Sequence, residues 1–201
     1  MKEQYFVSGI GTNIGKTIAS AVLCEYLQAA YYKPIQSGNL EQPESEIVAS
    51  LVEGLRVFPT TVLLKEALSP HLAAEKENIQ LSLDDFSLPS YNDALIVEGA
   101  GGILVPLNQT HTMADLMEHF QLPIILVASH YLGSINHTLL SIAYLKSRKM
   151  PLKGIIFNGI ENPDSERIIL KQSAVRHLGN IPYMENLNPD SIKSAAQNLH
   201  F

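Results

Sequence analysis

Short apolar segments alternate with longer amphipathic segments along most of the chain. The apolar segments lie at residues 5–7, 32–35, 94–97, 123–128 and 154–157, with a weaker one at 180–184. Several are apolar at both odd and even positions, which is typical of strands buried on both faces. Helical spacing occurs at residues 15–29, 44–53, 112–120, 133–148, 163–178 and 190–199. The alternation predicts a three-layer α/β fold, with a mostly parallel sheet flanked by helices.

Local signals mark where several helices begin. Thr112, with Asp115 three residues later, predicts a capping box. A polar residue followed by proline predicts three further helix starts, at Ser69, Asn162 and Asn188. Because ligands of parallel α/β folds bind beyond the carboxyl ends of the strands, functional residues are expected directly after each apolar segment.

Composition and charge narrow the class of protein. The 201 residues are 46% hydrophobic and 17% charged, which indicates a globular chain, and one domain over residues 1–201 is expected. A formal net charge of −6 disfavours nucleic-acid binding. Cys24 is the single cysteine, so no intrachain disulfide forms. No apolar segment is long enough for a membrane span and the N-terminus lacks a signal-peptide pattern, so a cytoplasmic protein is expected.

A glycine-rich loop follows the first apolar segment and leads into the first helix. It reads GIGTNIGKT over residues 9–17. Backbone N–H groups of such a loop bind phosphate, Lys16 can reach the outer phosphates, and the Thr17 hydroxyl can bind Mg²⁺. The usual phosphate loop has glycine where this chain has Ile10, so the alternative is a glycine-rich turn that binds nothing. The order of strand, loop and helix favours a fold of P-loop NTPase type.

Two more charged residues end predicted strands. Glu98 follows the segment at 94–97 and can hold Mg²⁺ opposite Thr17, although a solvated carboxylate at a sheet edge is the alternative. The glycine-rich residues 99–102 leave room for a substrate close to the backbone. Lys33 is expected at the same end of the sheet, where a second ammonium group suits an anionic intermediate. A surface lysine at an ordinary turn is the alternative there.

A helix is predicted to open at residues 132–137, after the segment at 123–128. Its free N–H groups could bind a carboxylate, but a plain helix start is the simpler interpretation of these residues alone. His71, His130 and His137 show no metal-ligand spacing, so capping or local hydrogen bonding is predicted for them.

Six motifs together resemble those of dethiobiotin synthetases. They are GIGTNIGKT, KPIQSG, SPHLAA, VEGAGG, LGSINH and IIFNG, in the family's order and over nearly the whole chain. The resemblance implies a cytoplasmic ligase of biotin biosynthesis that converts 7,8-diaminononanoate, CO₂ and ATP into dethiobiotin, ADP and phosphate. One amine would form a carbamate, the carbamate would take the γ-phosphoryl group as a mixed anhydride, and the second amine would close the ureido ring.

The resemblance also implies residue roles. Lys33 and Lys16 would be catalytic, with Lys33 stabilising the carbamate and the transferring phosphoryl group. Asn158 would read adenine. ATP-binding positions are implied at Asn13, Ile14, Gly15, Lys16, Thr17, Ile18, Glu98, Gly99, Ala100, Gly101, Asn158, Pro182, Tyr183 and Met184.

The remaining implied roles concern the diamine, the metal and a partner subunit. Substrate contacts are implied at Thr12, Ser37, Gly133, Ser134, Ile135 and Asn136, the last four reaching the site of the partner in a homodimer. Mg²⁺ ligands are implied at Thr17, Glu98 and Glu44, with Glu46 as the less favoured alternative. No nucleic-acid or membrane partner is expected.

The chain departs from the family pattern in three places. Asn13 stands where the family often has an acidic residue, which removes any role of that carboxylate. Glu44 or Glu46 stands where the family places an aspartate after the second strand, and the longer side chain allows a contact through water. The first helix is expected to end early, near Ala29, because the stretch before KPIQSG is short.

Three other functions compete with this interpretation. A partition or positioning ATPase would share the sheet, but it usually has a lysine early in the loop, where this chain has Ile10 and Gly11. It also often has a basic C-terminal helix, whereas residues 191–201 of this chain contain only Lys193 and His200 as basic residues. A cobyrinate-type amide synthetase would need a much longer chain. An inactive homologue is disfavoured by the retained lysines at 16 and 33, together with Thr17 and Glu98.

Overall fold

A parallel sheet of seven strands forms the middle layer of the protein, in a computed structural model that describes residues 3–201. The strands along the chain are β1 (Gln4–Gly9), β2 (Ala30–Tyr32), β3 (Ile35–Ser37), β4 (Val57–Phe58), β5 (Val62–Leu64), β6 (Leu95–Gly102), β7 (Ile124–Ser129), β8 (Leu152–Gly159) and β9 (His177–Pro182). The sheet order is β4-β2-β6-β1-β7-β8-β9, while β3 and β5 form a separate parallel pair.

Helices cover both faces of this sheet. They are α1 (Lys16–Leu27), α2 (Glu44–Leu51), α3 (Pro70–Lys76), α4 (Met113–Phe120), α5 (Ser134–Ser147), α6 (Pro163–Ser173) and α7 (Pro189–Ala196). Helix α1 packs on α2 and α7, whereas α5 packs on α6. The chain crosses the sheet in opposite directions through α1 and through α5 and α6, so right-handed crossovers put these groups on opposite faces. The three-layer prediction is confirmed.

No helix in the described part of the chain has the length and apolar character needed to cross a membrane.

The central strands explain the apolar segments of the sequence. Phe6, Val97 and Leu126 lie on β1, β6 and β7, and each is completely buried. Strand β1 pairs with β6 on one side and β7 on the other, with Val7 beside Glu98 in the register. This pairing brings Glu98 next to the start of the glycine-rich loop, which follows β1 directly.

The predicted helix starts are present. The Thr112 N–H donates to the Asp115 carboxylate over 2.6 Å. The side chains of Asn162 and Asn188 each accept a backbone N–H three residues later, both over 3.0 Å. Helix α3 begins at Pro70, directly after its N-cap Ser69.

The single strand predicted at residues 32–35 is wrong. Strand β2 ends at Tyr32, and β3 begins at Ile35 in the other sheet. Proline has no N–H to donate to a ladder, so a strand does not continue through Pro34. The break turns the Lys33 side chain inward, where only 3% of it is exposed. The short strands β4 and β5 were not predicted.

The boundaries near the C-terminus also differ from the prediction. Helix α6 ends at Ser173 rather than 178, because Ala174 adopts a left-handed φ of 49° and caps it. Strand β9 therefore covers His177–Pro182 instead of 180–184. Helix α7 ends at Ala196, since Leu199 forms an antiparallel bridge with Gly179. Helix α1 ends at Leu27, two residues before the predicted end.

Candidate functional site

Two cavities flank the glycine-rich loop at the carboxyl edge of the sheet. The larger, of about 870 Å³, contains both Lys16 and Lys33 and is called the lysine cavity below. The smaller, of about 360 Å³, contains Asn158 and is called the asparagine cavity. Asn13 and Gly15 line both cavities, so the loop forms the wall between them.

Most of the residues picked out from the sequence line one of these cavities. The lysine cavity is lined by Thr12, Lys16, Thr17, Lys33, Ser37, Glu44, Glu98, Ala100 and Gly101. The asparagine cavity is lined by Ile14, Ile18, Asn158, Pro182, Tyr183 and Met184. The structure thus brings together residues from five strands of the seven-stranded sheet, as expected of a parallel sheet, and adds Ser37 from β3.

Glu98 is the centre of the polar contacts in the lysine cavity. Its Oε1 accepts a hydrogen bond from the Thr17 hydroxyl over 3.0 Å and one from Lys33 Nζ over 3.1 Å. Its Oε2 accepts a hydrogen bond from the Tyr31 hydroxyl over 2.9 Å. The Glu98 side chain is completely buried, so these donors replace the water that a carboxylate needs.

The charges of the cavity shift the pKa values of two groups. Burial raises the pKa of Glu98, but the ammonium groups of Lys33 and Lys16 outweigh burial and hold that pKa below its usual range. Burial lowers the pKa of Lys16 to about 8, against the opposing attraction of Glu98. The Lys16 ammonium group donates to the Gly11 carbonyl over 3.0 Å, within its own loop.

Glu44, rather than Glu46, faces the lysine cavity. Its Oε2 lies 3.7 Å from Lys33 Nζ, whereas Glu46 is exposed and lines neither cavity. Within residues 3–201, Glu44 Oε2 and Ser37 Oγ are shielded from water and have no hydrogen-bond partner. Both atoms line a cavity that already holds Glu98 and Thr17, so unused oxygen atoms converge there.

These oxygen atoms fit Mg²⁺. The cation prefers hydroxyl and carboxylate oxygens and usually keeps several waters, with substrate phosphates as further ligands. Thr17, Glu98 and Glu44 are such a donor set. Across residues 3–201, no group of three or more histidine, cysteine or acidic side chains could hold a metal ion.

Asn158 fastens the loop to the sheet. Its Nδ2 donates to the Ile14 carbonyl over 3.0 Å, across 144 residues of sequence. Gly15 has a left-handed φ of 84°, and a Cβ at this position would lie 2.0 Å from Asn158 Nδ2. Gly15 is therefore required both by its backbone conformation and by the approach of Asn158.

The glycine-rich segment after Glu98 serves packing as well as the site. A Cβ on Gly99 would lie 2.7 Å from the Phe6 ring, so this glycine makes room for the core and not for a substrate, contrary to the expectation. Gly99 lines neither cavity, but its carbonyl accepts a hydrogen bond from Lys33 over 3.4 Å. Gly101 has a left-handed φ of 64° and does line the lysine cavity.

The residues predicted to bind a carboxylate lie apart from both cavities of this chain. Gly133, Ser134, Ile135 and Asn136 form the start of α5 and line neither cavity. The N-cap of α5 is Gly133, so no side chain caps the helix, and the preceding Leu132 is fully exposed.

Two of the three histidines form hydrogen bonds with residues close to them in the sequence, as predicted. His71 contacts the Ser69 hydroxyl over 3.0 Å, and His137 contacts the Tyr131 hydroxyl over 2.8 Å. The prediction for His130 is wrong, because its Nε2 lies 3.0 Å from Glu166 Oε1 on α6. This pair fixes the wall of the asparagine cavity that His130 lines.

Sequence reasoning missed residues in and beside the lysine cavity. Tyr31 received no role, although it contacts Glu98 from outside the cavity. The cavity-lining residues that were missed are Ile35, Ala67, Leu68, Ser69, Pro70 and Val105. The SPHLAA motif was the available signal for residues 69 and 70, since it carried the resemblance without being given a role.

Comparison with known sequences gives full-length relatives. The model of the family described as an AAA domain matches residues 3–191. An ATP-dependent dethiobiotin synthetase from Cytophaga hutchinsonii is 44% identical over 98% of this chain and 97% of the relative. Dethiobiotin synthetases from Christiangramia forsetii and Brucella ovis are 45% and 41% identical, over 93% and 100% of this chain and 92% and 96% of the relatives.

Solved structures share the fold at low sequence identity. A ParA family ATPase from Chlorobium tepidum matches with a TM-score of 0.61 and 15% identity, covering 99% of this chain and 100% of that one. The septum site-determining protein MinD from Pyrococcus horikoshii, in complex with Mg-ADP, matches with a TM-score of 0.57 and 14% identity. It covers 98% of this chain and 95% of that one. These similarities show a P-loop type fold.

Proposed function

This chain belongs to the ATP-dependent dethiobiotin synthetase family, and on that premise we propose that the two cavities divide the reaction between them. The protein is a ligase of biotin biosynthesis that makes dethiobiotin with ATP. In the proposal, the asparagine cavity takes the adenosine part of ATP and the lysine cavity takes the diamine and CO₂. We also propose that the reaction takes place in the cytoplasm, where ATP is supplied.

The position of the loop supports this division. The N–H groups of residues 13–17 can bind the phosphates, because the loop forms the wall that both cavities share. Adenine then lies near Asn158, Pro182 and Met184, and the γ-phosphate points toward Lys33. The distant likeness to ParA and MinD proteins concerns the fold alone and carries no regulatory function over.

The proposed chemistry proceeds through anions. One amine of 7,8-diaminononanoate attacks CO₂ and loses a proton, which gives a carbamate. The carbamate oxygen attacks the γ-phosphorus while the bond to ADP breaks. The second amine attacks the carbamoyl carbon, loses a proton, closes the ring and expels phosphate. Lys33 and Lys16, both buried at the wall of the cavity, stabilise the negative charge that develops in these steps.

Mg²⁺ would be held by Thr17, Glu98 and Glu44 together with the phosphates, and it would neutralise phosphate charge. Ser37 and Thr12 line the same cavity and are assigned to the carbamate and the amines of the diamine. The single observation that carries the proposal is the pair of buried ammonium groups beside Glu98, at the end of the phosphate loop.

The test is phosphate release from Mg·ATP with and without 7,8-diaminononanoate and bicarbonate, with mass detection of the product. We expect release to require both substrates and to give a product of the mass of dethiobiotin. Release that is indifferent to the diamine contradicts the proposal. Separate binding measurements with ATP and with the diamine then show which cavity does not bind its proposed substrate.

We further propose a homodimer in which α5 of one protomer completes the site of its partner. In the first turn of α5 the Ser134 N–H donates to the Tyr131 carbonyl over 2.9 Å, while those of Ile135 and Asn136 precede the first bonds within the helix and suit the substrate carboxylate. They lie at neither cavity of their own chain, and the neighbouring Tyr131, Leu132 and Leu140 expose large apolar side chains. Burying such side chains against a partner stabilises a dimer.

Mixing two inactive variants tests the shared site. Lys33→Ala removes a group of the lysine cavity, and Asn136→Pro removes a first-turn N–H group of α5 at a position that tolerates proline. In a shared-site dimer, an equal mixture forms heterodimers with one intact site and regains about a quarter of the wild-type activity. A mixture that stays inactive while light scattering shows exchanged dimers contradicts the shared site, and a monomer in light scattering contradicts the dimer.

The lowered pKa of Lys16 gives a pH dependence of ATP binding. Lys16 binds phosphate as an ammonium group, and its pKa of about 8 means that the free protein loses this charge as the pH rises through that value. ATP affinity is therefore expected to fall above pH 8, with proton uptake on binding. Calorimetry in two buffers of different ionisation enthalpy measures the uptake. In Lys16→Met the uptake should disappear, and an unchanged uptake assigns it to another group.

A further inference from the structure

Tyr31 contacts the centre of the lysine cavity from the core. It lies on β2, its side chain is completely buried, and its hydroxyl donates to Glu98 Oε2 over 2.9 Å. The other carboxylate oxygen, Oε1, is the one that faces Thr17 and Lys33. Tyr31 does not line the cavity, so it cannot touch a substrate there.

We propose that Tyr31 is a positioning residue, which turns Glu98 so that Oε1 is presented to the divalent cation beside Thr17. The inference rests on the proposed metal role of Glu98. It gives Tyr31, a buried residue, a function in the reaction. It predicts that the Tyr31 hydroxyl affects metal binding only through Glu98.

The geometry gives the hydroxyl this effect. A glutamate side chain rotates broadly about its last bond, so one fixed oxygen is needed to define where the other points. With Oε2 fastened to Tyr31, Oε1 stays within hydrogen-bond distance of Thr17. Without the hydroxyl, Oε2 is buried and lacks this donor, and the nearby Lys33 ammonium group attracts it. The carboxylate then turns toward Lys33 and away from the metal position.

The neighbouring tyrosine supplies a matched control. Tyr32 is on the same strand and 2% exposed, and its hydroxyl lies 2.6 Å from the Thr61 hydroxyl, away from Glu98. Both Tyr31→Phe and Tyr32→Phe remove one hydroxyl group from a buried ring and keep the packing of the ring. Effects of lost packing or of a lost buried hydrogen bond are therefore common to the two variants.

The experiment measures ATP affinity by calorimetry in EDTA and over a Mg²⁺ titration. In wild type, Mg²⁺ is expected to strengthen ATP binding. In Tyr31→Phe, the Mg²⁺ concentration that gives half of this strengthening should rise about tenfold, as is usual when the support of a metal ligand is lost. The affinity in EDTA should stay at the wild-type value, and high Mg²⁺ should restore binding. Tyr32→Phe should titrate like wild type.

Three results would overturn the inference, and a third variant, Glu98→Gln, distinguishes them from failure of the metal site itself. An unchanged Mg²⁺ midpoint in Tyr31→Phe removes the role. A loss of affinity that is equal in EDTA and in Mg²⁺ makes the hydroxyl merely structural, as does the same shift in Tyr32→Phe. Glu98→Gln must lose the strengthening by Mg²⁺. If it does not, the proposed metal role of Glu98 is wrong, and the inference falls with it.

Discussion

Replacing Lys33 by alanine is expected to lower the turnover number at least about tenfold, which corresponds to about 1.4 kcal/mol of lost transition-state stabilisation. The Lys33 side chain is only 3% exposed, and its Nζ lies 3.1 Å from Glu98. In this protected position its charge would act on the proposed carbamate and transferring phosphoryl group more strongly than it would in water. ATP binding should remain, because the phosphate loop does not depend on Lys33.

Single-turnover rates measure the loss, and calorimetry with ATP shows whether binding survives. Lys193→Ala is the control, since Lys193 is an exposed lysine paired with Glu53 over 2.8 Å and lines neither cavity. Thermal unfolding of both variants checks the fold, because Lys33→Ala leaves Glu98 without one of its two nearby ammonium groups. A Lys33→Ala enzyme with wild-type turnover removes Lys33 from the mechanism.

Gly15→Ala should weaken ATP binding about a hundredfold, the combined result of two costs of about 1–2 kcal/mol each. The first is the left-handed φ of 84°, which alanine adopts poorly. The second is the displacement of Asn158, whose Nδ2 would lie 2.0 Å from the new Cβ. Moving Asn158 breaks its hydrogen bond to the Ile14 carbonyl, and the loop loses its shape between the two cavities.

Gly54→Ala is the control for the first cost, the left-handed backbone conformation, because it lacks the second cost, a clash with a neighbouring side chain. Gly54 has a left-handed φ of 70°, but a Cβ there would meet nothing within 4 Å. Gly54→Ala is therefore expected to reduce the free energy of unfolding by about 1 kcal/mol and to leave the affinity for ATP unchanged. Affinity for ATP is measured by calorimetry on all three proteins. Wild-type affinity in Gly15→Ala contradicts the idea that Asn158 holds the loop.

The convergence of Thr17, Lys33 and Glu98 follows from a simple property of parallel sheets. Thr17 belongs to the loop and helix that follow β1, Lys33 directly follows β2, and Glu98 lies on β6, and the carboxyl ends of parallel strands meet at one edge. Strand order was not needed for this prediction. The metal and nucleotide roles of these residues stay predictions until the measurements above are made.

What the sequence did not reveal depends on contacts between distant segments. Tyr31 looks like any buried aromatic residue until β2 lies beside β6. Gly99 stands in a motif that favours a ligand, yet the room beside it is filled by Phe6 from the neighbouring strand. Residues 174–178 continue a helical pattern, and only the pairing of β9 with β8 overrides it.

The hydrogen bond between Asn158 and Ile14 can form only late in the synthesis of the chain. The two residues are separated by 144 positions, so a ribosome working at 5–20 residues per second adds the second roughly 7–30 seconds after the first. During that interval the emerging polypeptide carries the whole phosphate loop without the asparagine that fastens it. The loop is therefore expected to reach its full affinity for ATP only after β8 has left the ribosome.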